Sequence, residues 1–153
     1  MRYYIEILAA LLTPTIAVIT TYIAVRQYRS NRLKQRLELY DRRLAVYNAT
    51  MKFIRIAAYH NKIEDKDVDE FLVATEAATF LFGRDVNNYL TTVYARATHL
   101  QSLRNVNPHD IPIEMAKKRM RDMNERQDWL SDQQAEELGS KVFLKYLSLN
   151  RLR

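Results

Sequence analysis

The spacing of apolar and polar positions changes character twice along this chain. Residues 7–25 carry no charged side chain. As a helix, a run of that length rises roughly 28 Å, close to the hydrocarbon thickness of a bilayer. Tyr3, Tyr4, Tyr22 and Tyr28 stand near its two ends, where amphipathic rings settle at a membrane surface. The pattern therefore predicts a transmembrane anchor over residues 1–25. Within it Ala10, Thr13, Ala17, Thr20 and Ala24 recur at alternating spacings of three and four. Those spacings place them on one helix face, where small residues let two spans pack closely. Pro14 removes one backbone donor and predicts a kink near Ala10.

A second pattern begins after the anchor. Leu33, Leu37, Tyr40, Leu44, Tyr47, Met51, Ile54 and Ala58 keep a seven-residue repeat, with neither Gly nor Pro between residues 15 and 60. This predicts a stalk helix over residues 26–60 with a coiled-coil-like seam. Leu33, Leu37, Tyr40 and Leu44 are its expected interface. A second stripe, Leu39, Val46 and Phe53, predicts that the lower stalk also packs against other helices of the chain.

Residues 61–153 read as shorter helices. One is expected over residues 68–82, capped by Asp67 and closed by a left-handed Gly83. The next runs over residues 85–104 with the seam Val86, Leu90, Val93, Ala97 and Leu100. Pro108 and Pro112 mark a loop. A polar helix follows over residues 113–130, with Glu114–Lys118 and Asp122–Arg126 as surface pairs. A last helix over residues 132–149 is expected to start at a Ser131 cap. The fold class is all-α: one N-terminal transmembrane helix, a cytoplasmic stalk and a small bundle packed with the lower stalk.

Charge adds direction. The 153 residues hold 24 Lys and Arg against 18 Asp and Glu, a net charge of +6. Arg26, Arg29, Arg32, Lys34 and Arg36 follow the uncharged run with no acidic residue among them. The positive-inside rule then puts the N-terminus outside and the bundle in the cytoplasm. The same five cations are expected to contact anionic lipid headgroups. A second basic cluster, Lys117, Lys118, Arg119 and Arg121, raises nucleic-acid binding as a disfavoured alternative.

The chemistry is sparse. The chain has no Cys and two Gly. That excludes a disulfide framework, a thiol nucleophile and a glycine-rich phosphate loop. His60, His99 and His109 lack ligand spacing, and the acidic cluster at Asp65, Asp67, Asp69 and Glu70 lacks the glycine of a calcium loop. No catalytic, metal or cofactor residue is expected, and the chain is read as non-enzymatic.

The stretch Arg36-Leu37-Glu38-Leu39-Tyr40-Asp41-Arg42-Arg43-Leu44-Ala45-Val46-Tyr47, set after a single uncharged run, resembles a pattern in small uncharacterised bacterial single-pass membrane proteins. Phe80-Leu81-Phe82-Gly83 is similar as well. The resemblance implies a bacterial inner-membrane location and carries no activity. The expected function is a membrane-anchored interaction or scaffold protein. Its expected partners are the lipid bilayer and either a second copy of the chain or another membrane protein. The alternative is a membrane-perturbing effector, holin-like or defensive.

Overall fold

The computed structural model describes the backbone of residues 2–60, 62–106, 112–135 and 138–148, and the side chains of these except Arg2 and residues 4–14. The described residues are all-helical, with no strand among them. The helices are α1 (Arg2–Tyr59), α2 (Asp65–Thr75), α3 (Ala78–Leu81), α4 (Arg84–Asn105), α5 (Ile113–Ala135) and α6 (Leu138–Leu147). They divide into two compact units, Met1–Glu38 and Leu39–Arg153.

The second unit holds the core. Helix α1 contributes Val46, Thr50, Phe53, Ile54, Ala57 and Ala58, all buried. Helix α4 contributes Val86, Leu90, Val93, Ala97 and Leu100, again all buried. Their 4-3-4-3 spacing lines one helix face, and α4 packs against α2, α3, α5 and α6. Phe143 of α6 sits among Tyr47, Phe82 and Tyr89, with ring centroids at 5.4, 5.4 and 6.0 Å in edge-to-face geometry. Phe53 stacks on Phe71 at 4.4 Å, fastening α2 to α1. Two arginines join the chain's turns. Arg43 donates to the Leu81 and Tyr146 carbonyls at 3.0 and 3.3 Å. Arg104 donates to the Ala57 and His60 carbonyls at the end of α1, at 3.3 and 2.8 Å. Both satisfy carbonyls that a helix terminus leaves without an intrahelical donor.

Several boundaries differ from the sequence expectation. The helix expected over residues 68–82 is two helices. Asp67 is not its cap but lies inside the first turn of α2, where its carboxylate accepts the Glu64 N–H at 3.0 Å. Asp65 joins it there, and both charges favour a helix N-terminus. The break falls after Thr75, whose hydroxyl donates to the Phe71 and Leu72 carbonyls at 2.8 and 3.4 Å. Gly83 is not left-handed. Its φ of −82° and ψ of −179° are extended, and it is the N-cap of α4. Glycine is needed there for room: a Cβ would collide with the Tyr146 hydroxyl, which accepts the Gly83 N–H at 2.8 Å.

Ser131 does not cap a new helix either. Helix α5 runs on to Ala135, because Leu130 and Gln133, three apart, are both buried on its inner face. The expected surface pairs also rearrange. Glu114 pairs with Lys117 at 3.3 Å. Arg126 donates to the Asp122 carbonyl at 2.9 Å and to His99 Nδ1 at 3.0 Å.

The expectation of a transmembrane helix is not met among the described residues: no helix there is long and apolar enough to cross a membrane. Beyond the side chains of residues 4–14, the uncharged run comprises residues 15–25. That stretch rises only about 16 Å before Arg26. The Pro14 kink, and the Ala10 and Thr13 part of the small-residue face, lie outside the described residues.

Candidate functional site

Every side chain of residues 15–25 is exposed. Helical spacing of 100° per residue puts Ile16, Ile19 and Ile23 on one side of α1, Val18, Tyr22 and Val25 on a second, and Ala17, Thr20, Thr21 and Ala24 on a third. No side of the segment carries a charge, whereas the part of α1 inside the bundle is apolar along one stripe and charged elsewhere. Its hydroxyls turn inward on the helix itself. Thr20 Oγ1 donates to the Ile16 and Ala17 carbonyls at 2.9 and 3.0 Å, and Thr21 Oγ1 to Ala17 at 2.8 Å. These bonds satisfy both donors without water.

The small-residue face is present as far as it is described. Ala17, Thr20 and Ala24 lie on one side of α1, and all three are exposed. The basic residues follow directly. Arg26, Arg29, Arg32 and Lys34 are exposed, and Arg36 is half-buried. The Arg32 guanidinium lies 5.2 Å from the Tyr28 ring centroid, a cation–π contact.

The expected stalk seam divides. Leu33 and Leu37 are exposed in the first unit, while Tyr40 and Leu44 are half-buried in the second. Only the first pair offers an open apolar surface. Lower down, Val46 and Phe53 of the second stripe are buried, and Tyr47 and Met51 of the heptad are half-buried.

The rest of the molecule supplies little reactive chemistry. Among the described residues no group of three His, Cys, Asp or Glu could hold a metal ion. His99 Nδ1 is an acceptor for Arg126 rather than part of an acid–base pair, and His109 lies outside the described residues. A polar cavity of about 390 Å³ lies between Tyr47, Met51, Arg55, Gln134 and Ser140. The Tyr89 hydroxyl and Gln134 Oε1 are buried without a hydrogen-bond partner among the described residues. Burial, and to a lesser degree Tyr47, hold the Tyr89 phenol well above its ordinary pKa, so it stays protonated. Sequence spacing gives no sign of either buried group.

Comparison of the chain with family models, curated proteins and solved structures finds no match. The functional reading rests on the residues themselves.

Proposed function

We propose that this protein is a non-enzymatic, membrane-anchored helical scaffold whose copies associate through the anchor and the upper stalk. One observation carries the reading: residues 15–25 are exposed and carry no charge on any side, and a basic segment follows them directly. A helix with no charged face belongs in a protein core or in lipid, and residues 15–25 are not in the core. The proposal extends the anchor back through residues 7–14, which the sequence also leaves uncharged. Together the two stretches reach roughly 28 Å. Arg26, Arg29, Arg32, Lys34 and Arg36 then hold the bundle on the cytoplasmic side and touch anionic headgroups. Ala17, Thr20 and Ala24 support close packing of two spans, and Leu33 and Leu37, out of phase with that face by one residue of the repeat, offer a second contact beyond the membrane.

The test is fractionation of the full chain. Wild type is expected to stay with membranes after an alkaline wash. Ile16→Lys with Ile19→Lys, at roughly 3 kcal/mol of insertion cost each, is expected to release it. A wild-type chain recovered in the wash would overturn the anchor.

A further inference from the structure

The polar cavity of the Leu39–Arg153 unit is walled by three helices. Tyr47, Met51 and Arg55 come from α1, Gln134 from α5 and Ser140 from α6. The three α1 residues are spaced four apart, so they line one face of that helix. The volume, about 390 Å³, falls in the range of small-molecule sites, roughly 300–1,000 Å³. The charge of the lining is one-sided. Arg55 is a full cation, and no carboxylate of the described residues lines the cavity. Arg55 also has no ion-pair partner among the described residues. The half-buried Arg43, Arg104 and Arg126 are committed to carbonyls and to His99 within the fold. Arg55 is exposed and uncommitted.

We propose that this cavity binds a small organic oxyanion, a carboxylate or a phosphate ester, with Arg55 as its charge partner. The planar guanidinium fork takes two oxygens of either group at once, whereas a lysine acts as a point charge. The other polar side chains of the lining are all able to donate: Tyr47 and Ser140 through hydroxyls, Gln134 through its amide N–H. Charge selects the class. A cation would meet Arg55 with no carboxylate from the lining to hold it. A neutral ligand would cover the guanidinium and leave it unpaired, which is costly. Met51 supplies an apolar wall, so the anionic group is attached to a short carbon body. The cavity exists only where α1, α5 and α6 meet. The anion therefore binds the folded bundle and not the unfolded chain, and it stabilises the fold by mass action.

None of residues 15–37 takes part, so the proposal stands or falls apart from association through the anchor. The test uses the full chain in detergent micelles. Sodium phosphate and sodium acetate are the probes, with sodium chloride at equal ionic strength as the reference. Phenylglyoxal modifies accessible guanidinium groups, and peptide mass spectrometry reads each arginine separately. Arg84, exposed and without an ion-pair partner among the described residues, is the internal control. At about ten times its dissociation constant, a bound probe is expected to slow modification of Arg55 about tenfold and to leave Arg84 unchanged. Protection by phosphate alone supports a phosphate ester as the ligand, by acetate alone a carboxylate, and by both the shared oxyanion chemistry. The same probe should raise the melting temperature by about 3–5 °C. Arg55→Gln, a surface substitution that keeps the fold, should abolish that rise, while Lys62→Gln should retain it. No protection by either probe, equal slowing at Arg55 and Arg84, or a rise that survives Arg55→Gln would each overturn the proposal.

Discussion

Helix α1 contains two stretches that are equally free of Gly and built for different surroundings. Residues 46–58 bury Val46, Thr50, Phe53, Ile54, Ala57 and Ala58 and turn Asn48, Lys52 and Arg55 outward. Residues 15–25 expose everything and carry no charge on any side. In the first stretch aromatic side chains meet partners from other helices: Phe71 for Phe53, Phe143 for Tyr47. In the second, the hydroxyls of Thr20 and Thr21 bond the helix's own carbonyls. The difference teaches where the missing solvent lies. One stretch is finished by the chain itself; the other, in the function proposed above, is finished by lipid and a second copy.

The largest expected effects separate the two stretches. Phe143→Ala removes a fully buried ring with three aromatic neighbours, and is expected to cost about 3–5 kcal/mol of bundle stability. Leu33→Ala should leave the same melting transition within about 0.5 kcal/mol of wild type, because the side chain is exposed. Comparable losses for the two variants would erase the distinction.

Next comes Gly139, buried in α6. A Cβ there would lie 2.5 Å from the Tyr89 hydroxyl and 3.2 Å from the Gln133 carbonyl oxygen. Gly139→Ala is expected to destabilise by about 1–3 kcal/mol through overpacking. Denaturant titration would check it, and a stabilised variant would refute the packing described for α5 and α6. Tyr89→Phe goes the other way. Its hydroxyl is buried and makes no hydrogen bond among the described residues, so removal is expected to be neutral or to stabilise by up to about 1 kcal/mol. A loss would mean that the hydroxyl has a partner.

The smallest effect is on pH. The hydrogen bond from Lys145 chiefly holds the Asp85 carboxyl below its ordinary value of 3.8, and Asp85 raises Lys145 above 10.5. Lys52 likewise lowers Glu70 below 4.5 and is itself raised above 10.5. The carboxylates add stability above their ordinary values and lose it as pH falls through the lowered ones. The lysines add stability below 10.5 and lose it as pH rises through the raised values. The bundle's melting temperature should therefore be level between these limits, with a small acid slope that Asp85→Asn and Glu70→Gln flatten. All four groups are exposed, so added salt should flatten it too.

How much of this was readable beforehand depends on how local the cause was. The α4 seam was fully legible, because five core residues at 4-3-4-3 spacing admit one helix face. The lower α1 was half legible. Two stripes showed that it packs within the bundle, but not that Val46 and Phe53 would be buried more deeply than Tyr47 and Met51. The break after Thr75 was not legible, since neither Gly nor Pro marks it. Gly83 was read as a left-handed stop, although its cause is Tyr146, 63 residues away. The reach of Arg43 and Arg104 to distant carbonyls leaves no local trace in the sequence either. Of the candidate interface, Ala17, Thr20, Ala24, Leu33 and Leu37 are exposed as self-association requires, while Tyr40 and Leu44 are half-buried in the bundle. A seven-residue repeat cannot tell a neighbouring copy from a neighbouring helix, because both select the same spacing.

The most direct test of the central claim is a cysteine scan along α1 in native membranes, with single substitutions at every position from 15 to 44 and oxidative crosslinking of each. Association through the anchor and upper stalk predicts crosslinks that peak at Ala17, Thr20 and Ala24, recur at Leu33 and Leu37, and fade by Leu44. Uniformly low crosslinking from 15 to 37 would contradict it and leave the first unit without a self-association role.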